Sequence, residues 1–156
     1  MMKDFKITSF NAKGNTPTKC DILSDLQADI LCNQETHKDT APPYIYDMHL
    51  IIHFPHLKHG SAIYARDKSV ITSSQDLSHQ VIEIQRVETA QLVITSVYKP
   101  PKTPFSWPQI TNSDNKPQIT IGDFNSHNTI WGYDKNNTDG EAVEDWAAAN
   151  DLTSPT

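Results

Sequence analysis

The segment "ITIGDFNSH" (119–127) ends an apolar run with an aspartate and an asparagine two residues apart. In an extended strand, side chains two residues apart point to the same face. One face is therefore expected to carry Ile119, Ile121, Asp123 and Asn125. A core strand that ends in two polar groups on one face predicts a functional site, although a helix cap or a turn can produce the same pattern.

The composition is that of one globular domain, and we assign 1–156 to a single domain. Of the 156 residues, 37% are hydrophobic and 21% are charged. No window approaches the roughly 20 apolar residues that a membrane-spanning helix needs, and the N-terminus lacks a signal-peptide core. The two cysteines, Cys20 and Cys32, lie in apolar patterns and are expected to be buried thiols in a reducing compartment.

The formal net charge is 13 − 19 = −6. This argues against a protein that holds nucleic acid through a broad basic surface. It leaves room for a protein that engages phosphate locally through a bound cation.

The first third of the chain predicts a strand, a helix and a second strand. "FKITSFN" (5–11) alternates and is expected to end at Asn11, and Thr16-Pro17 fits the cap and first turn of a short helix. "ADILCNQET" (28–36) reads as a buried strand that ends at Glu35. This order indicates an α/β or α+β domain.

The rest of the chain predicts further strands. "MHLIIHFPH" (48–56) and "GSAIYARD" (60–67) are joined by a loop at 57–59, and "HQVIEIQRVE" (79–88) is interpreted as an edge or meander strand. "AQLVITSVYKPP" (90–101) is a strong strand stopped by its prolines, followed by a proline-containing loop that leads to the strand of 119–125. A helix is expected from Thr138, where Glu141 completes a capping box.

Four polar residues each lie where a predicted strand ends: Asn11, Glu35, Tyr98 and Asp123. Each is separated by an even number of positions from an apolar residue of its own strand and is therefore expected on the same face of that strand. These apolar residues are, in the same order, Ile7, Leu31, Ile94 and Ile121. Strands that end along one edge of a packed sandwich would bring these groups, with Asn125, into a shallow polar pocket. Taken singly, each has a plainer reading as a turn residue, a solvated charge or a core aromatic.

Carboxylates and amides without cysteine or histidine form a hard oxygen-donor site, which suits Mg²⁺ or Mn²⁺ better than zinc. Hydrolysis of a phosphate ester needs a cation to offset phosphoryl charge and a base to orient water. On this chemistry Glu35 is the expected metal ligand and Asp123 the base. Asn11 and Asn125 are expected to position water and phosphate, and Tyr98 to donate to a phosphate oxygen.

The ordered motifs "FNAKG" (10–14), "LCNQET" (31–36), "SVYKPP" (96–101) and "IGDFNSH" (121–127) resemble the endonuclease/exonuclease/phosphatase superfamily. The resemblance is closer to the endonuclease domain of jockey-like non-LTR retrotransposons, and it covers about Phe5 to Leu152. It implies a four-layered α/β sandwich, a DNA phosphodiester as partner, no membrane association and action in the nucleus. It also implies that Asn11 and Glu35 hold metal and phosphate, that Tyr98 contacts the phosphate, and that Asp123 is the base or water-orienting aspartate with Asn125 as its partner. Asp123 is expected to contact the metal as well.

The resemblance breaks at the C-terminal end. Members of the family carry a late Ser-Asp-His motif that stabilises the transition state, whereas this sequence ends in "NDLTSPT" (150–156), and His127 lies at the wrong position to replace the histidine. We therefore expect the chain to correspond to the first two-thirds of a nuclease domain and to be poorly soluble. Loss of one transition-state contact typically lowers the rate by about 10²–10³.

Three functions stay open on the sequence alone: a Mg²⁺-dependent DNA-nicking endonuclease, a phosphatase acting on a small phosphorylated molecule, and an inactive retroelement fragment. Two further features have weaker functional readings. "HFPHLKHG" (53–60) places His53, His56 and His59 three residues apart, as in a transition-metal site or a polar loop. Trp107 and Trp131 lie in loop-like segments, where they would stack on DNA bases or pack on the sandwich.

Overall fold

The computed structural model describes residues 5–41, 43–103 and 116–125. The helix expected from Thr138, and also Trp107, His127 and Trp131, lie outside these residues. The elements in chain order are β1 (Ile7–Asn11), α1 (Pro17–Asp25), β2 (Ile30–Gln34), β3 (His49–Phe54), β4 (Ser61–Ala65), a 3₁₀ turn (Lys68–Val70), β5 (Ser73–Asp76), β6 (Glu83–Glu88), β7 (Val93–Tyr98) and β8 (Gln118–Asp123).

The described strands form two four-stranded sheets, with orders β1-β2-β4-β3 and β5-β6-β7-β8. Each sheet contains one parallel pair, β1 with β2 and β7 with β8, while the other neighbours are antiparallel. Asn11 is paired with Gln34, and Tyr98 with Asp123. Because parallel strands end at the same edge of a sheet, each sheet brings two of the predicted strand ends side by side.

The two sheets pack face to face over an apolar core. Its buried members are Ile30, Cys32, Ile63, Val87 and Ile94. The opposite face of the first sheet is covered by α1, whose Leu23 lies in a second buried cluster with Leu31 and Tyr64. The hydroxyl of Thr16 caps α1 by accepting a hydrogen bond from the backbone N–H of Lys19, at 3.2 Å. This layering confirms the predicted α/β sandwich.

The second sheet contains one strand that the sequence did not predict, β5. The strand interpreted as an edge or meander strand begins only at Glu83 and is the middle strand of an antiparallel meander, because it pairs with β5 on one side and with β7 on the other. All four residues of β5 are exposed, so this short edge strand has no alternating apolar pattern to detect. A tight turn with a bridge between His79 and Ile82 precedes β6.

Neither cysteine takes part in a disulfide bond. Cys32 lies in the core between the sheets, where burial raises the pKa of its thiol to about 12. Cys20 is half-buried on α1. No helix in the described part of the chain is long and apolar enough to cross a membrane.

Candidate active site

The side-chain amide of Asn11 joins the ends of both sheets. Its Nδ2 donates a hydrogen bond to Oε2 of Glu35 and another to Oδ2 of Asp123, the latter at 2.7 Å. Its Oδ1 accepts from the backbone N–H of Lys13 at 3.0 Å, which fixes the orientation of the amide. Two carboxylates from different sheets therefore converge on one neutral donor, as the predicted positions of the strand ends indicated.

Glu35 reaches the site by a route that the strand pattern did not predict. We expected it to share the face of Leu31, but Leu31 packs in the cluster beneath α1, on the other side of the sheet. Strand β2 ends at Gln34, and Glu35 adopts a left-handed backbone with φ of 53°. The chain therefore turns at Glu35, and parity counted along the strand no longer applies. A non-glycine residue in this conformation is strained, a feature that is concentrated at functional sites.

Gly122 fixes the position of Asp123. Its φ is 151°, and an added Cβ would lie 1.9 Å from the carbonyl oxygen of Val97, its partner on β7. No side chain fits in this space, so only glycine permits β8 to approach β7 this closely. The glycine of the "GDFN" (122–125) segment thus holds the following carboxylate against the end of β7.

Tyr98 completes the group from the end of β7. Its side chain is buried, and its hydroxyl oxygen lies 3.3 Å from Nδ1 of His59. Burial raises the pKa of Tyr98 far above its usual range, and the neighbouring charges of Glu35, Asp123 and Glu83 raise it further. Tyr98 therefore stays protonated at neutral pH and is available as a hydrogen-bond donor.

Asn125 contacts its neighbours in a different way from the one expected. Strand β8 ends at Asp123, and Asn125 has a φ of 45°, so the two side chains do not leave one regular strand on one face. The amide of Asn125 donates to the backbone carbonyl of Lys99 at 2.7 Å, and its backbone N–H donates to Oδ1 of Asp123 at 3.1 Å. Asn125 thus braces the carboxylate of Asp123 and ties it to the end of β7.

Glu83 is a buried acid near this site that the sequence analysis did not single out. It is paired with Tyr98 across β6 and β7, and its carboxyl accepts from the hydroxyl of Ser61 and from the backbone N–H of Gly60. Burial raises the pKa of Glu83 to about 7, and these two hydrogen bonds partly oppose the shift. In the sequence, Glu83 stands between two isoleucines and has the pattern of an ordinary solvent-facing strand residue.

The histidines of "HFPHLKHG" (53–60) are not arranged as a metal site. Among the described residues, no three His, Cys, Asp or Glu side chains group closely enough to hold a metal ion by themselves. Nδ1 of His56 instead accepts hydrogen bonds from the backbone N–H groups of Lys58 and His59, both at 3.1 Å. The structure favours the polar-loop reading, with His59 in contact with Tyr98.

The donor set fits a hard divalent cation. Mg²⁺ is commonly held by one or two carboxylates, with waters and substrate oxygens completing its shell, so a cluster of three acidic or histidine ligands is not required. Glu35 and Asp123 supply two carboxylates whose mutual repulsion a cation would offset. The amide of Asn11 faces them with its nitrogen, which suits a residue that orients the two carboxylates, and its predicted role as a metal ligand stays a prediction.

The geometry can be compared with known proteins. Residues 92–156 match the family described as Endonuclease-reverse transcriptase, Exo_endo_phos_2. The chain is similar in structure to the solved endonuclease domain of TRAS1, a telomere-specific non-LTR retrotransposon, with a TM-score of 0.65 and 16% identity over 94% of this chain and 72% of that one. The chain has the endonuclease/exonuclease/phosphatase fold.

A second similar structure is itself described as a member of the endonuclease/exonuclease/phosphatase family. An endonuclease/exonuclease/phosphatase family protein from Leptotrichia buccalis C-1013-b is similar with a TM-score of 0.52 and 17% identity over 94% of this chain and 73% of that one. No curated protein matches the sequence. The resemblance to the endonuclease/exonuclease/phosphatase superfamily, close to a retrotransposon endonuclease, is thus confirmed.

Proposed function

We propose that this protein is a Mg²⁺-dependent phosphodiesterase that nicks DNA. The observation that carries the proposal is the convergence of Glu35 and Asp123, from the ends of two sheets, on the amide of Asn11. This is an oxygen-rich site with a protonated phenol beside it, and it offers carboxylates for a cation and for a base, both of which phosphate-ester hydrolysis requires.

Each side chain has a defined part in this proposal. Glu35 and Asp123 hold the cation, which when bound supplies positive charge to offset the charge on the phosphoryl oxygens. Asp123 orients the attacking water and accepts its proton. Tyr98 donates a hydrogen bond from its hydroxyl to a phosphate oxygen.

Asn11 and Asn125 keep the carboxylates in position. Asn11 donates to both carboxylates, and Asn125 holds Asp123 through its backbone N–H. Residues that lock catalytic groups in place lower the cost of reaching the reactive geometry.

A long polyanionic substrate is supported by the charge around the site. Residues 36–38 and 56–60 pair through backbone hydrogen bonds from His37 to His59 and from His56 to Lys38. These two segments bring together His37, Lys38, His56, Lys58 and His59 immediately after Glu35. In a chain with a net charge of −6, the two lysines of this group, Lys38 and Lys58, place positive charge beside the site, which favours a phosphate backbone over a small ester. The fold shared with the TRAS1 endonuclease domain and the family match support the same choice.

Nicking of a supercoiled plasmid tests the proposal. Purified protein is incubated with plasmid in Mg²⁺ or in EDTA, and in parallel with 4-nitrophenyl phosphate. We expect open circles in Mg²⁺ only, with little hydrolysis of the small ester. Hydrolysis of the ester without nicking would replace the proposal with a phosphatase, and a folded protein that does neither would indicate a chain without catalysis.

A further inference from the structure

The loop 56–60 between β3 and β4 lies against Tyr98. Nδ1 of His59 is 3.3 Å from the hydroxyl oxygen of Tyr98, and the two rings are 5.5 Å apart between centroids. The centroid of the His56 ring lies 4.7 Å from that of His59. His59 therefore contacts a proposed catalytic side chain although it lies far from it in the sequence.

The backbone holds His59 in this place. Its carbonyl accepts from the N–H of His37 at 2.7 Å, and its own N–H donates to Nδ1 of His56. The next residue, Gly60, donates its N–H to the buried carboxyl of Glu83 at 3.2 Å. Gly60 has a φ of 95°, and an added Cβ would lie 2.4 Å from Oγ1 of Thr36, so the close approach of the two segments requires glycine. These contacts restrain the loop so that the ring of His59 lies beside Tyr98.

The direction of the hydrogen bond between them depends on where the phenol proton points. A tyrosine has one hydroxyl proton, which Tyr98 can direct either to Nδ1 of His59 or into the site, toward the neighbouring carboxylate of Glu35. When the phenol proton points into the site, the bond between Tyr98 and His59 needs its proton from the imidazole. Burial lowers the pKa of His59, with a smaller contribution from the nearby His56, so the ring is neutral near pH 7 and carries one proton. That proton must be on Nδ1 for the bond to form in this direction.

We propose that His59 is a positioning residue for Tyr98: its Nδ1–H donates to the phenol oxygen and keeps the single phenol proton directed into the site. The opposite tautomer would accept that proton at Nδ1 and turn the hydroxyl away from Glu35 and from a phosphate oxygen. The catalytic consequence rests on the proposed function, whereas the tautomer and the hydrogen bond do not.

The tautomer is measured directly by ¹⁵N NMR of histidine-labelled wild-type protein near neutral pH, with the His59 signals assigned through the His59→Asn variant. We expect a protonated Nδ1 and an unprotonated Nε2 for His59. A neutral His59 ring with its proton on Nε2 would overturn the proposal, whatever the outcome of any activity assay.

A mutant cycle measures the catalytic consequence. His59→Leu removes the donor, whereas His59→Asn keeps an N–H at the equivalent place in the side chain. We expect kcat for nicking to fall about tenfold in His59→Leu and to stay within about threefold in His59→Asn. In a Tyr98→Phe background the His59→Leu change should have less than about a twofold effect, because the hydroxyl that it positions is gone.

The control is His49→Leu, an exposed histidine at the other end of β3, which should leave nicking unchanged. Equal losses from His59→Leu in both backgrounds, or equal losses in His59→Leu and His59→Asn at matched thermal stability, would show a structural role only and overturn the positioning role. If wild-type protein does not nick DNA, the proposed function fails, and the NMR measurement alone decides the proposal for His59.

Discussion

Asn11 and Asp123, 112 residues apart in the chain, share a hydrogen bond of 2.7 Å between Nδ2 and Oδ2 that joins the ends of the two sheets. The same nitrogen donates to Glu35. One amide thus sets the relative position of the two carboxylates on which the proposed chemistry depends.

Removal of this amide is expected to impair the site more than the fold. In Asn11→Ala the two carboxylates lose their common donor, and we expect kcat/KM for nicking to fall about 10- to 100-fold. The matched control is Gln75→Ala, an exposed position on β5, which should have no effect. Far-ultraviolet circular dichroism checks that both variants are folded. Unchanged kinetics in Asn11→Ala would show that the hydrogen bonds from Asn11 to the two carboxylates do not contribute to catalysis.

Gly122→Ala is expected to be strongly destabilising. The new Cβ would lie 1.9 Å from the carbonyl oxygen of Val97, so β8 would have to move away from β7. Strain and overpacking together should lower the free energy of unfolding by about 2–4 kcal/mol. Urea unfolding measures this, with Ile119→Val, a change at a partly exposed position on the same strand, expected within about 1 kcal/mol of wild type. A Gly122→Ala protein as stable as wild type would mean that the two strands are not packed this closely.

How much of this site the sequence predicts depends on the residue. The ends of β1, β7 and β8 follow from alternation, because Ile7, Ile94 and Ile121 all face the core between the sheets. Glu35 does lie beside Asn11 and Asp123, but it reaches that place through a turn of the backbone at Glu35 itself. Alternation along β2 does not predict this turn. Alternation within one strand reports which face is buried and carries no information on what a second sheet places against it.

Three features were not predicted from the sequence, because they depend on contacts between distant segments or lack an apolar pattern: buried Glu83, the contact of His59 with Tyr98, and edge strand β5. Glu83 is buried, and its carboxyl accepts hydrogen bonds from Ser61 on β4 and from Gly60 just before that strand; neither contact can be predicted from the sequence around Glu83. The spacing of His53, His56 and His59 predicts either a metal site or a polar loop, and the described residues form a polar loop in which His56 accepts hydrogen bonds from the backbone. The exposed edge strand β5 was missed because its four residues are all polar.

The stability of the protein is expected to fall as the pH rises through the titration of Glu83. The folded pKa is about 7, against an ordinary value of 4.5, so between these pH values the folded chain binds more protons than the unfolded chain. Under linkage, the stabilisation is fully present below about pH 4.5 and is lost as the pH passes about 7. Its upper size is roughly 3 kcal/mol.

Glu83→Gln isolates this effect, since the amide keeps the shape of the side chain without the titration. The difference in unfolding free energy between wild type and variant, measured by urea unfolding at several pH values, should change in favour of the variant as the pH rises from about 4.5 to about 7. A difference that does not vary with pH would contradict the burial of an ionisable Glu83.

The two thiols should differ sharply in reactivity. Cys32 lies in the core with its pKa raised to about 12 by burial, so little reactive thiolate forms, whereas Cys20 is half-buried on α1. We expect a thiol reagent to label one cysteine in the native protein and both after denaturation. Native labelling should disappear in Cys20→Ser. Rapid native labelling of Cys32 would show that the core between the sheets is not closed.

The most direct test of the central claim compares two aspartates in the plasmid assay. Asp123→Asn keeps the size of the side chain and removes its charge, while Asp21→Asn makes the same change on the exposed face of α1. The account predicts Mg²⁺-dependent nicking by wild type and by Asp21→Asn at equal rates, and a loss of at least about 10²-fold in Asp123→Asn. Nicking by Asp123→Asn at the wild-type rate would contradict the account, because the carboxylate at the junction of the two sheets would then take no part in the chemistry.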